Sequence, residues 1–182
     1  MKCFDKHRSI LQAKEKLYDW YWTIPILTTL VALCMILFFG YSAMKNAAIT
    51  IIGGTFAFTY FIQKQKLEET ILFRQAFARF NKRYDKLNEV LFAIKMRNRI
   101  DGHEDHNKLV DYFNLCAEEY LLYRKGYIPI KVWNSWLNGM NVYWENEAIR
   151  KIWVEELKTS SYYGFEPQIE LSRLQILISK NT

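Results

Sequence analysis

Two apolar stretches, YWTIPILTTLVALCMILFFGY (Tyr21–Tyr41) and NAAITIIGGTFAFTYFIQ (Asn46–Gln63), decide the fold of this chain. No charged residue lies between Asp19 and Lys45, and none lies between Lys45 and Lys64. As a helix the first stretch is roughly 31 Å long, at about 1.5 Å per residue, and the hydrocarbon core of a bilayer is about 30 Å thick. The second stretch is roughly 27 Å long, which is just sufficient. The pair predicts a transmembrane helical hairpin.

The first span is the stronger of the two predicted spans. Ten of its residues are Leu, Ile, Val or Phe. At about −0.3 to −0.6 kcal/mol each, they favour insertion by roughly 3–6 kcal/mol. The second span has seven such residues, diluted by threonine and glycine. A tight turn over Ser42–Asn46 is expected to join the spans, so that the second returns across the membrane.

The second span carries small and hydroxylated side chains that are candidates for helix packing or for lining a pore. They are Thr50, Gly53, Gly54, Thr55, Ala57 and Thr59. Gly53 and Ala57 have the small-xxx-small spacing that lets helices approach closely in lipid. Two interpretations stay open: this face packs against the first span, or several hairpins associate through it. No charged residue lies in mid-membrane, which disfavours an ion-selective channel or a proton-driven transporter.

The basic residues around the hairpin predict its orientation. Five lie in the amphipathic N-terminal segment 1–20, and three more follow the second span, whereas only Lys45 lies in the connecting loop. The positive-inside rule then places both ends of the chain in the cytoplasm. We therefore expect a multi-pass protein of the bacterial inner membrane. An uncleaved anchor is favoured over a cleaved signal peptide, which has a shorter charged start and a shorter apolar run.

Residues 64–100 predict a long cytoplasmic stalk helix that continues from the second span. The net charge of the chain is +6; residues 63–100 carry +6, whereas residues 101–182 carry −3. Apolar residues at heptad spacing form a seam along the helix: Phe73, Phe77, Phe80, Tyr84, Leu87, Leu91 and Ile94. Because four of the seven are aromatic, the seam favours packing against C-terminal helices over a self-paired coiled coil.

The opposite face of the stalk is basic. The residues predicted to bind nucleic acid or a partner are Arg79, Lys82, Arg83, Lys86, Lys95, Arg97 and Arg99. A row of such side chains can neutralise the phosphates of a nucleic acid. It can equally be a solvated face that also favours anionic lipid near the membrane, and both interpretations stay open.

The rest of the chain predicts a small, aromatic-rich helical domain at 108–182. A linker is expected at Asp101–Asn107, with Gly102 ending the stalk. Helices are expected near 108–125, 130–138 and 142–158, and residues 168–179 form either a helix or a short strand. The acidic residues, among them Glu118 and Glu119, are expected on the outer face. The predicted fold class is therefore all-α.

Sequence motifs of enzymes are missing from the chain. It has no nucleophile elbow, P-loop, dinucleotide fingerprint or HExxH motif. His103 and His106 lie in a charged turn, where a surface position is more common than metal binding. The three cysteines have no CxxC spacing. We therefore predict a protein that is not an enzyme and that has neither a metal nor a cofactor.

The phrase DYFNLCAEEYLLYRKGYIPIKVWNSWLNGM (Asp111–Met140) resembles small bacterial membrane proteins in which FNxxxEEYxLYxxGxI precedes VWxxW. The plan of the chain is similar to the two-transmembrane effectors of retron anti-phage systems. That resemblance implies a toxin held inactive by a reverse transcriptase and its RNA–DNA product. Its release on phage attack would permeabilise the inner membrane and abort the infection, with a homo-oligomer as the possible active state. The resemblance carries over no catalytic residue.

Two other classes of protein stay open from the sequence. The first is a membrane-anchored scaffold or adaptor that recruits a cytoplasmic protein, in which the hairpin is only an anchor. The second is a soluble protein that buries residues 20–63 inside a multi-subunit complex.

Overall fold

A computed structural model describes the backbone of residues 2–39 and 41–180, and the side chains of residues 9–39, 45–176 and 179. Within these ranges the chain has seven helices and no strand, which confirms the predicted all-α class. The helices are α1 (Lys2–Trp20), α2 (Thr23–Phe39), α3 (Tyr41–Arg97), α4 (Gly102–Arg124), α5 (Ile130–Trp144), α6 (Glu147–Leu157) and α7 (Pro167–Lys180).

The first of two compact units is Met1–Leu72, which holds α1, α2 and the first part of α3. The predicted turn over Ser42–Asn46 is wrong, because α3 already begins at Tyr41 and these residues are helical. They include no glycine or proline, and Ala and Met among them favour a helix. Gly40, directly before α3, lies outside the described residues.

The length and hydropathy of the helices can be compared with what the two predicted membrane spans require. Across the described residues, no single helix is both long enough and apolar enough to cross a membrane. One pair of helices meets the requirement jointly, Ser9–Trp20 with Thr23–Phe39, which are bent by 61° at the break between them. The hairpin with spans at 21–41 and 46–63 therefore stays a prediction.

The second compact unit is Phe73–Thr182, and its core is aromatic. Helix α5 packs against α7, α4 packs against α5 and α6, and α5 also contacts α6. Trp133 of α5 and Trp153 of α6 are buried. Phe113 of α4 stacks on Trp153 with 4.4 Å between the ring centroids. Such ring pairs stabilise a core beyond the effect of their buried area.

The heptad seam of α3 packs inside this second unit. Phe80, Leu91 and Ile94 are completely buried. Phe77 stacks on Trp136 of α5 with 5.8 Å between ring centroids, and Phe80 meets the same indole edge-on at 5.9 Å. The seam therefore contacts the C-terminal helices, which is the packing that its aromatic content favours.

The predicted linker at Asp101–Asn107 is wrong. Helix α3 ends directly before Asn98, which has a left-handed conformation with φ of 48°, and α4 begins at Gly102. The carboxylate of Asp105 accepts a hydrogen bond from the backbone N–H of Asp101 at 2.8 Å. Acidic side chains in the first turn stabilise a helix through its free N–H groups and its dipole. These acidic residues therefore begin a helix, and Asn98 rather than Gly102 ends the preceding one.

The boundaries of the C-terminal helices differ from the boundaries that the glycine positions predict. Helix α5 continues through Gly139, because the following turn is held by buried residues such as Met140. This packing outweighs the roughly 1 kcal/mol that a glycine costs inside a helix. The break comes at Asn146, whose side chain accepts a hydrogen bond from the backbone N–H of Ile149 at 3.1 Å and caps α6. Residues 168–179 are helical, which decides against the strand.

Candidate membrane surface, basic stripe and acidic cleft

In the first unit, α2 and the adjoining part of α3 expose most of their large apolar side chains. Those that are more than half exposed form the apolar surface: Ile26, Leu27, Leu30, Val31, Leu33, Leu37, Phe38, Phe39, Ile49, Phe56, Phe58, Tyr60 and Phe61. Soluble monomers rarely expose a contiguous apolar patch larger than a few hundred Å². A surface of this composition is suited to contact with lipid or with another apolar surface.

Burial divides the second-span candidates between two sides of α3. Thr55 and Thr59 are half-buried, on the side of the helix that also holds the buried Ala48 and Ile62. The other candidates are exposed, namely Thr50, Gly53, Gly54 and Ala57. A Cβ added to either glycine would meet nothing within 4 Å. The described residues therefore leave the small-residue side of α3 open.

The threonine hydroxyls of this region are paired inside their own helices. Thr50, Thr55 and Thr59 donate to the carbonyl oxygens four residues earlier, at 2.9, 2.7 and 2.8 Å. Thr28 and Thr29 of α2 make the same contact at 2.9 and 2.6 Å. A hydroxyl paired in this way can face an apolar environment without leaving its donor unsatisfied. These side chains therefore need neither water nor a polar path.

The amphipathic helix α1 is tied to the part of α3 that follows the apolar stretch. Lys14 Nζ forms an ion pair with Glu69 at 2.8 Å, and Lys66 Nζ donates to the backbone carbonyl of Tyr18 at 2.8 Å. Leu11 is buried. Burial, followed by the Glu69 carboxylate, raises the pKa of Tyr18 to about 12. Both polar and apolar contacts thus hold α1 within the first unit.

Three of the seven basic residues predicted to bind nucleic acid form ion pairs inside the second unit. The pairs are Arg83–Glu118 at 2.6 Å, Arg97–Asp105 at 2.7 Å and Arg99–Asp101 at 2.6 Å. The Arg99 guanidinium lowers the pKa of the Asp101 carboxyl by hydrogen bonding to it. An arginine that already has a carboxylate partner has fewer free N–H donors and less net charge to offer a phosphate. These three residues are therefore weaker candidates than the sequence suggests.

The remaining basic candidates include a short exposed row that we call the basic stripe: Arg79, Lys82 and Lys86. Their spacing places them on one face of α3. Among the described residues none of the three has an ion-pair partner. The Arg79 guanidinium lies 5.2 Å from the ring centroid of Phe80. Lys95, in contrast, is half-buried. The stripe is the part of the predicted interface that can still contact phosphates.

A cleft of about 240 Å³ lies between α3, α4 and α5 of the second unit, and we call it the acidic cleft. Aromatic side chains line much of it, including Tyr84, Tyr112 and Trp136. Its polar lining includes Asn81 and Glu119. The cleft therefore combines apolar walls with a few polar groups, as small-molecule sites do.

Glu119 was missed as a candidate, and its expected place on the outer face is wrong. Its side chain is only 8% exposed, because neighbouring residues of a helix point about 100° apart and Glu118 takes the outer position. Burial raises the pKa of Glu119 to about 8, an effect that the Arg83 charge opposes and the Glu118 charge reinforces. The cleft thus holds a carboxyl that is expensive to ionise without a cation.

The histidine pair weighed as metal ligands has no metal-binding surroundings. In the part of the chain that the structure describes, no group of three or more His, Cys, Asp or Glu side chains is arranged to hold a metal ion. His106 Nε2 lies 3.8 Å from a carboxylate oxygen of Glu156, which is a long contact.

A scan of the chain against protein-family models, and searches of curated proteins and of solved structures, found no match.

Proposed function

We propose that this chain is an inner-membrane effector of a bacterial antiviral defence system, which disrupts the membrane when a reverse transcriptase and its RNA–DNA product release it. In this proposal residues 21–41 and 46–63 form the membrane hairpin, residues 64–100 form a cytoplasmic stalk, and residues 108–182 form a cytoplasmic domain. The apolar surface is the observation that carries the proposal, because lipid would cover it. The resemblance in plan to retron effectors supports the antiviral role.

The polar groups near the apolar surface are compatible with lipid around it. An unsatisfied polar group in the hydrocarbon region costs several kcal/mol. The threonine hydroxyls avoid that cost through their hydrogen bonds to the preceding turn. The basic residues on both sides of the hairpin favour cytoplasmic ends.

Self-association of hairpins is the proposed route to membrane damage. The exposed small-residue side of α3, with Gly53 and Gly54, offers a surface on which a second hairpin can approach closely. No charged residue lies within residues 46–63, so the second span supplies no ring of charged side chains for ion selection. The lesion is therefore expected to be non-selective.

Expression of the chain alone in a bacterium should collapse the membrane potential and stop growth. Coexpression with a cognate reverse transcriptase and its RNA–DNA product should prevent both effects. A potential-sensitive dye measures the first effect, and fractionation confirms that the protein has reached the membrane. Normal potential and growth with the protein present in the membrane fraction would contradict the proposal.

A membrane-anchored adaptor is the second candidate function, and the compact aromatic second unit favours it because that unit can bind a protein without any membrane damage. Replacing residues 21–63 by an unrelated two-span anchor separates the two functions. An adaptor keeps its activity after this exchange. An effector that acts through the hairpin loses its toxicity but still binds its inhibitor.

Charge reversal of the basic stripe (Arg79→Glu, Lys82→Glu and Lys86→Glu) should release a copurifying reverse transcriptase–nucleic acid complex. If each side chain neutralises one phosphate, losing all three weakens binding about a hundredfold at physiological salt and reduces the salt dependence of binding. Arg83 is left unchanged because its ion pair with Glu118 belongs to the fold. Copurification, and binding of an RNA–DNA hybrid at several salt concentrations, measure the effect.

The matched control reverses three other exposed lysines of the second unit, Lys125, Lys131 and Lys151. It changes the net charge equally and should leave copurification intact. If copurification fell equally in both triple variants, the binding would depend only on the net charge of the protein. Full copurification of the stripe variant would remove the stripe from the interface.

A further inference from the structure

The acidic cleft contains a buried carboxyl group that has no hydrogen-bonding partner among the residues that the structure describes. Glu119 is 8% exposed, and within the described part of the chain no side chain donates a hydrogen bond to it. Arg83 acts on it through charge alone, and that guanidinium is already 2.6 Å from Glu118. Buried carboxylates normally have a cation or several donors beside them. Among the described residues, the ionised form of Glu119 therefore has no hydrogen-bond donor beside it, and only the charge of Arg83 favours it.

The other groups that line the cleft suit a cation rather than an anion. Ser135 donates its hydroxyl hydrogen to the carbonyl of Lys131 at 3.1 Å, which leaves its oxygen as an acceptor. Asn81 also lines the cleft, and its amide has an oxygen that can accept a hydrogen bond. With Glu119 these groups make three kinds of acceptor, and a primary ammonium has three N–H donors. The aromatic walls add the attraction of ring faces for cations.

We propose that the acidic cleft binds a small primary alkylammonium ligand, with Glu119 as its counter-ion. The volume of about 240 Å³ is below that of sites for drug-sized molecules, so a short amine fits the cleft. A carboxylate or phosphate ligand would be repelled by the ionised form of Glu119, and a neutral ligand would gain no ion pair with it. The proposal does not depend on what the hairpin does.

Ligand binding is coupled to release of a proton. Burial raises the pKa of Glu119 to about 8, so the carboxyl holds its proton through most of the neutral range, whereas the amine binds the ionised form. The titratable or charged groups that face Glu119 are Tyr112, Cys116 and Glu118 from α4, and Arg83 and Tyr84 from α3. Helix α5 contributes only uncharged lining residues. Burial also raises the pKa values of Tyr112 and Cys116, which keeps both neutral.

Titration of propylammonium into the full 182-residue chain in detergent micelles tests the proposal, with calorimetry or backbone NMR shifts as the readout. Glu119→Gln has the same shape without the charge and should weaken binding at least tenfold. Glu104→Gln, an exposed glutamate of the same helix, is the matched control and should bind as the original chain does. Circular dichroism and a melting curve confirm that both variants fold.

A second variant closes the cleft without touching the carboxylate. Gly139 lines the cleft, and a Cβ added there would meet nothing within 4 Å, so Gly139→Leu fills the space without a backbone clash. It should abolish binding while keeping α5 helical. Propanol, which has the same chain without the charge, should not bind. Unchanged propylammonium affinity in either Glu119→Gln or Gly139→Leu would overturn the proposal, and so would equal binding of propanol.

The pH dependence of propylammonium binding tests whether Glu119 acts as the counter-ion. A purely structural role for Glu119 would not make the affinity depend on pH in this way. With a pKa of about 8, only a small fraction of the carboxyl is ionised at pH 6.5 and most of it at pH 8.5. The affinity for propylammonium should therefore rise about 25-fold between these two pH values. The rise should disappear in Glu119→Gln. An affinity that is independent of pH in the original chain would contradict the role of Glu119 as counter-ion.

Discussion

Arginine at both Leu30 and Leu33 is expected to abolish carbonate-resistant membrane association and, with it, depolarisation of the cell. Both leucines are 53% exposed, so the change removes little packing inside the described chain. An arginine at the centre of a span costs about 2.5–3.5 kcal/mol. Two of them offset the roughly 3–6 kcal/mol by which the first span favours insertion. Carbonate extraction of membranes, followed by immunoblotting, measures the outcome.

The matched control for this variant places two arginines on exposed apolar positions of the second unit, Val154 and Ile169, which are 46% and 41% exposed. It adds the same charge and removes similar side chains, and it should remain in the membrane pellet. If the Leu30→Arg/Leu33→Arg chain also stays in the pellet, the apolar surface is not what holds the protein in the bilayer.

This pair of variants also separates the proposed effector from a subunit that buries residues 20–63 in a soluble complex. In such a complex the original chain would already be extracted by carbonate, because protein contacts rather than lipid cover its apolar surface. In a membrane protein, carbonate extracts only the Leu30→Arg/Leu33→Arg variant. An adaptor behaves as the effector does in this experiment, and the exchange of residues 21–63 distinguishes those two.

Helix type and the buried face of α3 could be predicted from the sequence. The heptad spacing predicted a seam of seven residues, and the structure buries Phe80, Leu87, Leu91 and Ile94, whereas Phe77 is 36% exposed. Periodicity succeeds at such positions because a helix converts spacing directly into direction. It predicts which side of the helix is covered without any knowledge of the partner.

The end of α5 could not be predicted because it depends on contacts far away in the sequence. Gly139 ends a helix by local preference, yet α5 continues through it because residues in the next turn are buried in the core. The difference in local preference is only about 1 kcal/mol, which a single buried side chain exceeds. The start of α4 at Gly102 is a different case, because the hydrogen bond at that end, from the Asp101 N–H to Asp105, is local.

The candidate sites were predicted only in part. The basic face of α3 is visible in the sequence, but the pairing of Arg83 with Glu118 joins two helices and leaves no local signal. Glu119 did leave a signal. It lies at helical spacing between Cys116 and Tyr123, so it falls within an apolar face. A charged residue in the middle of an apolar face is the pattern that identifies such a buried group.

Replacing Trp153 by alanine is expected to remove a large part of the stability of the second unit. This indole is completely buried and contacts the rings of Tyr112, Phe113, Trp144 and Phe165 at centroid distances of 5.6, 4.4, 5.7 and 6.2 Å. Deleting a buried tryptophan costs about 3–5 kcal/mol, against a total stability of about 5–15 kcal/mol for an ordinary domain. Loss of near-ultraviolet circular dichroism and a lower denaturation midpoint measure the effect.

Two further variants show whether the loss of stability in Trp153→Ala comes from the ring contacts. Trp153→Phe keeps an aromatic ring and removes the indole N–H, which has no hydrogen-bond partner among the described residues, so it should keep most of the stability. Val154→Ala changes the adjacent, exposed residue of α6 and should cost no more than about 0.5 kcal/mol. If Trp153→Ala were no less stable than Val154→Ala, the stacked rings would not be the core that holds the second unit together.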